Sequence, residues 1–574
     1  MATQSLDRLL TRLEESRFDF GVGGSAQVLL ALRALEKARF KGAPSLIRFH
    51  ETLLFLRAFP QGPAVVRKAE SLLNSFWKRV AALRASGEDL SEWDTFEFAG
   101  VAGTTMEDTL GYDVARWLVG QMPDKVEIAW DNCEPGRTTV TTWPRFMPLL
   151  EDDAFVEADT PWQKWMETAR GKKSRSAEWL IRQFENLSLP DSEKAELYDS
   201  LRLPLRWDLD NALVSRTRNW NTVRSGKATA RPEIFYHDGP LISRSEVSLA
   251  KELAKKPPAL IKLSRRDGER VMDAIREVML VRYRELYGTT LGDPASVVRA
   301  DVGRGVSIYF WNLPPERRLP LRSYVAGFSF KNGVPINYIE AIGLCEWMEV
   351  GFNTFYTFRG GEAGWVYAQV LRGLCHLMGT TCVSVYPYQL GHDNEEAIES
   401  GAFWFYRKLG FRPGRPELLR LVQSEEKKIA ANPKYRTSAR TLRRLAASHV
   451  FYDLPASEIG AWDRFSTRNI GLRVNARMAR DFGGDARVMR AESARKIAKM
   501  LGMNTASWTA LDKANLENFS VALMTVRDLS SWTRAEKDAL VQIIRAKGAN
   551  DEMKFLHLTQ QHQRFRDAIR KMGS

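Results

Sequence analysis

Two adjoining residues, Asn332-Gly333, constrain this chain more than any others. They join two strand-like runs, residues 323–330 and 335–342, and a two-residue turn of this kind needs positive φ at both positions, which Asn and Gly tolerate. The reading is a β-hairpin. A third run, Val306-Ser307-Ile308-Tyr309-Phe310-Trp311, precedes it, so the region is expected to be an antiparallel meander. Before the strands, Ser264 and Asp267 stand at N-cap spacing ahead of Val271, Ile275, Val278 and Met279, which predicts a helix with Gly288 as its stop. After them come an apolar and aromatic segment at 350–358, the turn Arg359-Gly360-Gly361-Glu362-Ala363-Gly364, and a helix through Val366, Val370, Leu371 and Leu374. A buried-type strand at 381–386 follows, then a helix ending in Tyr406-Arg407-Lys408-Leu409-Gly410-Phe411.

The flanks read differently. Residues 1–92 form a mainly helical region, 93–262 a mixed region with short strand pieces such as 125–130, and 455–574 a second mainly helical region. The central 263–454 carries the sheet. In the N-terminal flank Leu6, Leu9, Leu10 and Leu13 fall on one helical face, and Ser25 is expected to cap a second helix after Gly21-Val22-Gly23-Gly24. Thr533 and Glu536 make a capping box near the other end, with Gly548 as a stop.

Composition narrows the class. Of 574 residues 44% are hydrophobic and 27% charged, the balance of a globular protein of several domains. No apolar run approaches a membrane-spanning length, and charge arrives at Asp7 and Arg8 before any apolar run, so neither a membrane span nor a secretory signal is expected and the location expected is cytoplasmic. Four cysteines without C-x-x-C spacing do not make a disulfide framework or a zinc knuckle, and His50-Glu51 lacks the second histidine of H-E-x-x-H because Leu54 stands there. The surplus of 14 positive charges suits an anionic partner such as nucleic acid or a phosphate-bearing cofactor, and equally a soluble surface. Basic residues concentrate at Arg216, Arg218, Arg224, Lys227 and Arg231 around Trp220, read as a solvated loop, and again between Lys427 and Arg444.

The order of elements, and above all Ala402-Phe403-Trp404-Phe405-Tyr406-Arg407-Lys408-Leu409-Gly410-Phe411, resembles the GNAT superfamily of acyl-CoA-dependent N-acyltransferases, whose penultimate helix ends A-x-x-x-Tyr-x-Lys-x-Gly-Phe. The resemblance covers the central third of the chain. It implies a GNAT-like α/β (α+β) fold with a mixed, largely antiparallel sheet, acetyl-CoA or another acyl-CoA as co-substrate, no metal, and transfer to a small-molecule or protein amine. It implies that Tyr406 returns a proton to the departing thiolate. It places phosphate binding in the glycine-rich turn. One register keeps Arg359 and Gly364 and sets Glu362 at the middle glycine; the other keeps Gly361 and Ala363, with Gly360 allowing close backbone approach in either. Glu340 is the first candidate for the base that frees the amine and Glu346 the second, with Glu349 just beyond; Ser384 and Tyr386 are candidates for lining the acyl pocket, and Cys375 and Cys382 for packing. Two departures stand out. Glu399 occupies the position of a family Asn, with Asn394 upstream, and residues 343–358 form a long piece read as an extra strand or a substrate-facing insertion. The readings that compete are a non-catalytic scaffold of this fold binding nucleic acid or protein, and an acyltransferase taking its acyl group from aminoacyl-tRNA.

Overall fold

The structure is a computed structural model that describes residues 5–133, 142–146, 162–220, 233–455 and 457–574. Of the basic stretch expected to be a solvated loop, Arg216 and Trp220 are buried, and Arg224, Lys227 and Arg231 lie outside the described residues. The chain divides into two compact units, one comprising Met1–Pro240, Arg270–Thr290 and Asn332–Pro335, the other Leu241–Glu269, Leu291–Lys331 and Ile336–Ser574.

The first unit opens with helices Leu6–Ser16, Gly24–Lys37, Ala43–Ala58, Pro63–Asn74 and Phe76–Ala85. The spacing of Leu10 and Leu13 buries one face of the first, and Ser5 caps it. Ser25 is not the cap expected of the second. The chain turns through Gly23 at φ +93, and Gly24 begins the helix because a Cβ there would lie 2.1 Å from the carbonyl oxygen of Asp19. A small antiparallel sheet follows, β1 (Thr105–Thr109), β2 (Val126–Ile128) and β3 (Pro204–Asp208), with β3 central. Its core is Met106, Leu118, Trp143, Leu180, Leu205 and Trp207.

The second unit is built on nine strands: β4 (Ile261–Lys262), β5 (Val298–Gly303), β6 (Val306–Asn312), β7 (Ser323–Lys331), β8 (Val334–Leu344), β9 (Trp347–Thr354), β10 (Cys382–Val385), β11 (Arg412–Pro413) and β12 (Val450–Asp453). Their order across the sheet is β11-β12-β10-β9-β8-β7-β6-β5-β4. The mixed α/β class with antiparallel sheets is therefore as expected. Neighbours pair antiparallel through the meander, and β10 is parallel to β9. A parallel pair needs a crossover, which the helix Ala363–Met378 supplies. The turn at Asn332 (φ +52) and Gly333 (φ +81) is the expected one. Its Asn also works as a side chain, donating to the carbonyls of Ala58 at 2.8 Å and Phe235 at 3.0 Å. The long piece at 343–358 resolves into the end of β8, a reversal at Cys345 (φ +53) and β9.

One helix end differs from expectation. Ser264 does cap Arg265–Leu280, accepting from the Asp267 amide at 3.2 Å, but the helix stops at Leu280 and not at Gly288. Tyr283 takes positive φ (+51) before Gly288 is reached, and Gly288 lies inside a separate short turn, Tyr287–Thr290. Among the described residues no helix is long and apolar enough to cross a membrane.

Candidate functional site

The sheet opens at one place. β9 pairs with β8 along its whole length, from Leu344↔Trp347 to Asn337↔Thr354. It pairs with β10 only at Cys382↔Trp347, Val383↔Met348 and Ser384↔Glu349. Past Glu349, β9 runs on to Thr354 while β10 ends at Val385 and turns into Pro387–Leu390. The two parallel strands part, leaving backbone groups of β9 without strand partners on that side. A Cβ on Gly351 would meet nothing closer than 3.8 Å, and Gln389 reaches Asn353 Oδ1 at 3.3 Å.

The crossover helix begins beside this gap. Its N-cap residue, Glu362, makes no capping bond. Its carboxylate is fully buried and turned the other way, accepting from the Ile242 amide at 3.1 Å, from Arg304 Nε at 3.2 Å and from Lys331 Nζ at 3.4 Å. Burial alone would raise this carboxyl, but Arg304 and Lys331 hold it below its ordinary value, while burial brings Lys331 down to about 8. The negative charge is thus neutralised away from the helix start. The amides of Ala363, Gly364 and Trp365 have no acceptor among the described residues, and the first intrahelical bond is Val366 to Glu362 at 2.9 Å.

Cations without acids gather near that end. Arg244 packs against Gly364, where a Cβ would meet its Cγ at 3.3 Å, and its guanidinium lies 5.9 Å from the Phe405 ring centroid. Burial lowers Arg244. Partial burial and the like charges of Arg244 and Arg436 lower Lys408. None of these three forms an ion pair among the described residues, so the cluster keeps its charge for an outside anion. Arg359, the basic residue expected at the turn, is instead ion-paired with Glu396 and stacked on Tyr356 at 5.5 Å.

Tyr406 stands on the same side of the sheet. Its helix, Ala402–Lys408, stops as expected at Gly410 (φ +106), and Phe411 folds back so that its amide bonds Tyr406 O at 3.2 Å. The Tyr406 ring is buried against Tyr367, Phe405 and Phe411, with centroids 5.7, 5.2 and 5.8 Å away. Burial pushes its hydroxyl well above the ordinary range, so it remains protonated. The hydroxyl of Tyr367 beside it is buried without a hydrogen-bond partner among the described residues. Cys375 and Cys382 are packing residues whose thiols burial raises, that of Cys375 to about 12. Asn394 caps Glu395–Glu399, accepting from Ala397 N at 3.2 Å.

Residues facing one another across paired strands share a face, so Glu340 with Gly351, Ile342 with Glu349, and Glu349 with Ser384 lie on one side of the sheet. Glu340 accepts a hydrogen bond from the Tyr324 hydroxyl. Glu349 meets His449 of the segment leading into β12, Oε2 to Nε2 at 2.8 Å, and Tyr386 packs edge-on against that imidazole at 5.3 Å. His449 Nδ1 has no hydrogen-bond partner among the described residues. The pair is partly open, with 17% of the Glu349 side chain and 29% of the His449 side chain exposed. Ser384 is fully buried and takes the Trp347 indole N–H at 2.9 Å, which uses it for packing. Glu346 is not brought to the site. It lies at the opposite end of β9, where Trp462 Nε1 donates to it at 3.2 Å, Arg566 lies 3.7 Å away and its backbone carbonyl receives Thr381 and Cys382.

The sequence reading missed His449, Lys408 and Arg244 as site residues, and it named Glu349 without ranking it as a base. Glu349 and His449 are 100 positions apart, so only strand pairing joins them. Lys408 lay inside the motif that marked Tyr406. Arg244 fell in the region read as a separate mixed domain. Among the described residues no cluster of three His, Cys, Asp or Glu could hold a metal ion. No protein-family model, curated protein or solved structure matches the chain.

Proposed function

We propose that the second unit is a GNAT-like N-acyltransferase that moves an acyl group from CoA to an amine by direct attack. The observation that carries this reading is the parting of β9 and β10 beside an uncapped helix start whose surrounding cations lack acids. The residues fit an acyl-CoA: free amides at Ala363, Gly364 and Trp365, with Arg244 and Lys408, suit a pyrophosphate, and unpaired β9 backbone suits an amide-bearing chain. When bound, the thioester supplies the activated acyl group. Tyr406, kept protonated by burial, is placed on the helix side to give its proton to a thiolate. On the other face, the Glu349–His449 pair attracts an ammonium and takes its proton at His449 Nδ1, with Glu349 orienting the ring, and Glu340 adds a second carboxylate.

Titration calorimetry with acetyl-CoA and longer acyl-CoAs tests the reading. Saturable binding that Arg244→Glu and Lys408→Glu each weaken at least about tenfold (1.4 kcal/mol) supports it. Absence of binding to any acyl-CoA overturns it and turns the search to tRNA-borne donors or a purely binding role.

A further inference from the structure

The charge of this chain is not spread evenly. Between Arg464 and Lys499 ten basic residues face three acidic ones, a surplus of seven, which is half of the surplus of 14 carried by all 574 residues. All of these basic residues but Arg464 lie on a helical hairpin, Thr467–Phe482 and Ala486–Leu501, reversed at Gly483 (φ +59) and Gly484 (φ +87). Around both glycines the space is open, and Asp485 caps the second helix through the Val488 amide at 2.9 Å.

The hairpin buries little. The first helix, 16 residues long, buries only Ile470 and Arg477, and the second buries Met489, Ser493, Ile497 and Leu501. Arg477 is used internally, bonding Ser493 Oγ on the other helix at 3.1 Å. Arg480, Arg490 and Arg495 have acidic partners in Asp481, Glu517 and Glu492. Arg468, Arg473, Arg487, Lys496 and Lys499 are exposed and form no ion pair among the described residues. Like charges held this close repel one another, and an isolated helix gains nothing from them. A polyanion offsets the repulsion, and release of its condensed counterions drives the association.

We infer that this hairpin is a docking surface for the phosphate backbone of double-stranded nucleic acid. Each helix is about 24 Å long at 1.5 Å per residue, which spans many backbone phosphates of a duplex carrying one charge per roughly 1.7 Å. Eight of the ten cations are arginines, whose planar forks match phosphate oxygens. A membrane surface fits poorly. The exposed large apolar residues of the hairpin are Leu472 and Val488, one on each helix, not the continuous apolar face that inserts into lipid. No aromatic ring is exposed on the hairpin among the described residues to stack single-stranded bases.

Fluorescence anisotropy with the full chain and a labelled 20-base-pair duplex, over a range of KCl, tests the assignment. The expected result is binding that weakens linearly in log[salt], with Arg473→Glu, Arg487→Glu and Lys496→Glu together losing at least about tenfold and flattening the slope by about 2 to 3. A control with the same charge change outside the hairpin, Lys41→Glu, Lys172→Glu and Lys173→Glu, retains affinity within about threefold, since the contact is assigned to the hairpin and not to the net charge of the chain. Circular dichroism confirms folding, and Arg473→Gln, Arg487→Gln and Lys496→Gln gives an intermediate loss. Equal losses in the hairpin and control variants overturn the assignment, as does absence of salt-dependent binding, or stronger binding to phosphatidylserine vesicles or to a single strand than to the duplex.

Discussion

Two glutamate–histidine contacts of nearly equal length behave as opposites. In the first unit His50 Nδ1 lies 2.9 Å from Glu51 Oε1; in the second His449 Nε2 lies 2.8 Å from Glu349 Oε2. The His50 ring has no exposed surface, its Nε2 meets Thr217 Oγ1 at 3.0 Å, and Glu51 is also ion-paired with the buried Arg216. Every polar atom of that imidazole is used. His449 retains a ring nitrogen with no hydrogen-bond partner among the described residues, at a partly open face of the sheet. A contact distance therefore says little about chemistry; what distinguishes the pairs is the capacity left over after packing.

The largest expected difference concerns stability. Glu51→Ala removes the carboxylate paired with the buried Arg216 and should cost about 3–5 kcal/mol in urea unfolding, whereas Glu349→Ala should cost under about 1 kcal/mol because its partner is partly exposed. Equal losses would erase the distinction drawn here. Activity should invert that ranking. With acetyl-CoA and an amine acceptor, His449→Ala should lower kcat/KM about a hundredfold with acyl-CoA affinity unchanged, and added imidazole should restore part of it. A variant as active as the parent would reduce the second pair to a surface contact. A smaller effect separates the pairs by pH. Burial lowers His50 despite the opposing pull of Glu51, so the folded state resists protonation that the unfolded chain accepts. Stability from this group is complete above about 6.5, the unfolded value, and is lost as pH falls toward the depressed folded value. His50→Gln should flatten the decline in stability below pH 6.5 measured by denaturant titration; an unchanged slope would assign the decline to other groups.

Much of the scaffold was legible because it rests on neighbours in sequence. Asn332-Gly333 predicts its turn from φ alone, Gly410 its helix stop, and Thr533 with Glu536 a capping box that the structure contains. Local signals failed where packing intervened. Gly24 displaced Ser25 as the start of a helix because the Asp19 carbonyl leaves no room for a Cβ, and Tyr283 ended a helix that a distant Gly288 was expected to end. The carboxylates show the limit most clearly. Alternation ranked Glu340 first and Glu346 second and left Glu349 unranked, since nothing local shows that Trp462 holds Glu346 or that His449 meets Glu349.

By itself, then, the sequence determined the Asn332-Gly333 turn, the Gly410 stop, the strand-rich middle and the concentration of charge between Arg464 and Lys499, since each depends on residue type and short-range geometry. Tertiary structure decided where β9 and β10 part, that Glu346 is held at the far end by Trp462, that Glu362 is neutralised by Arg304 and Lys331, and that Glu349 receives His449. These are outcomes of register between segments as much as 116 positions apart, and register is set by the packing of the whole sheet, which no local pattern encodes.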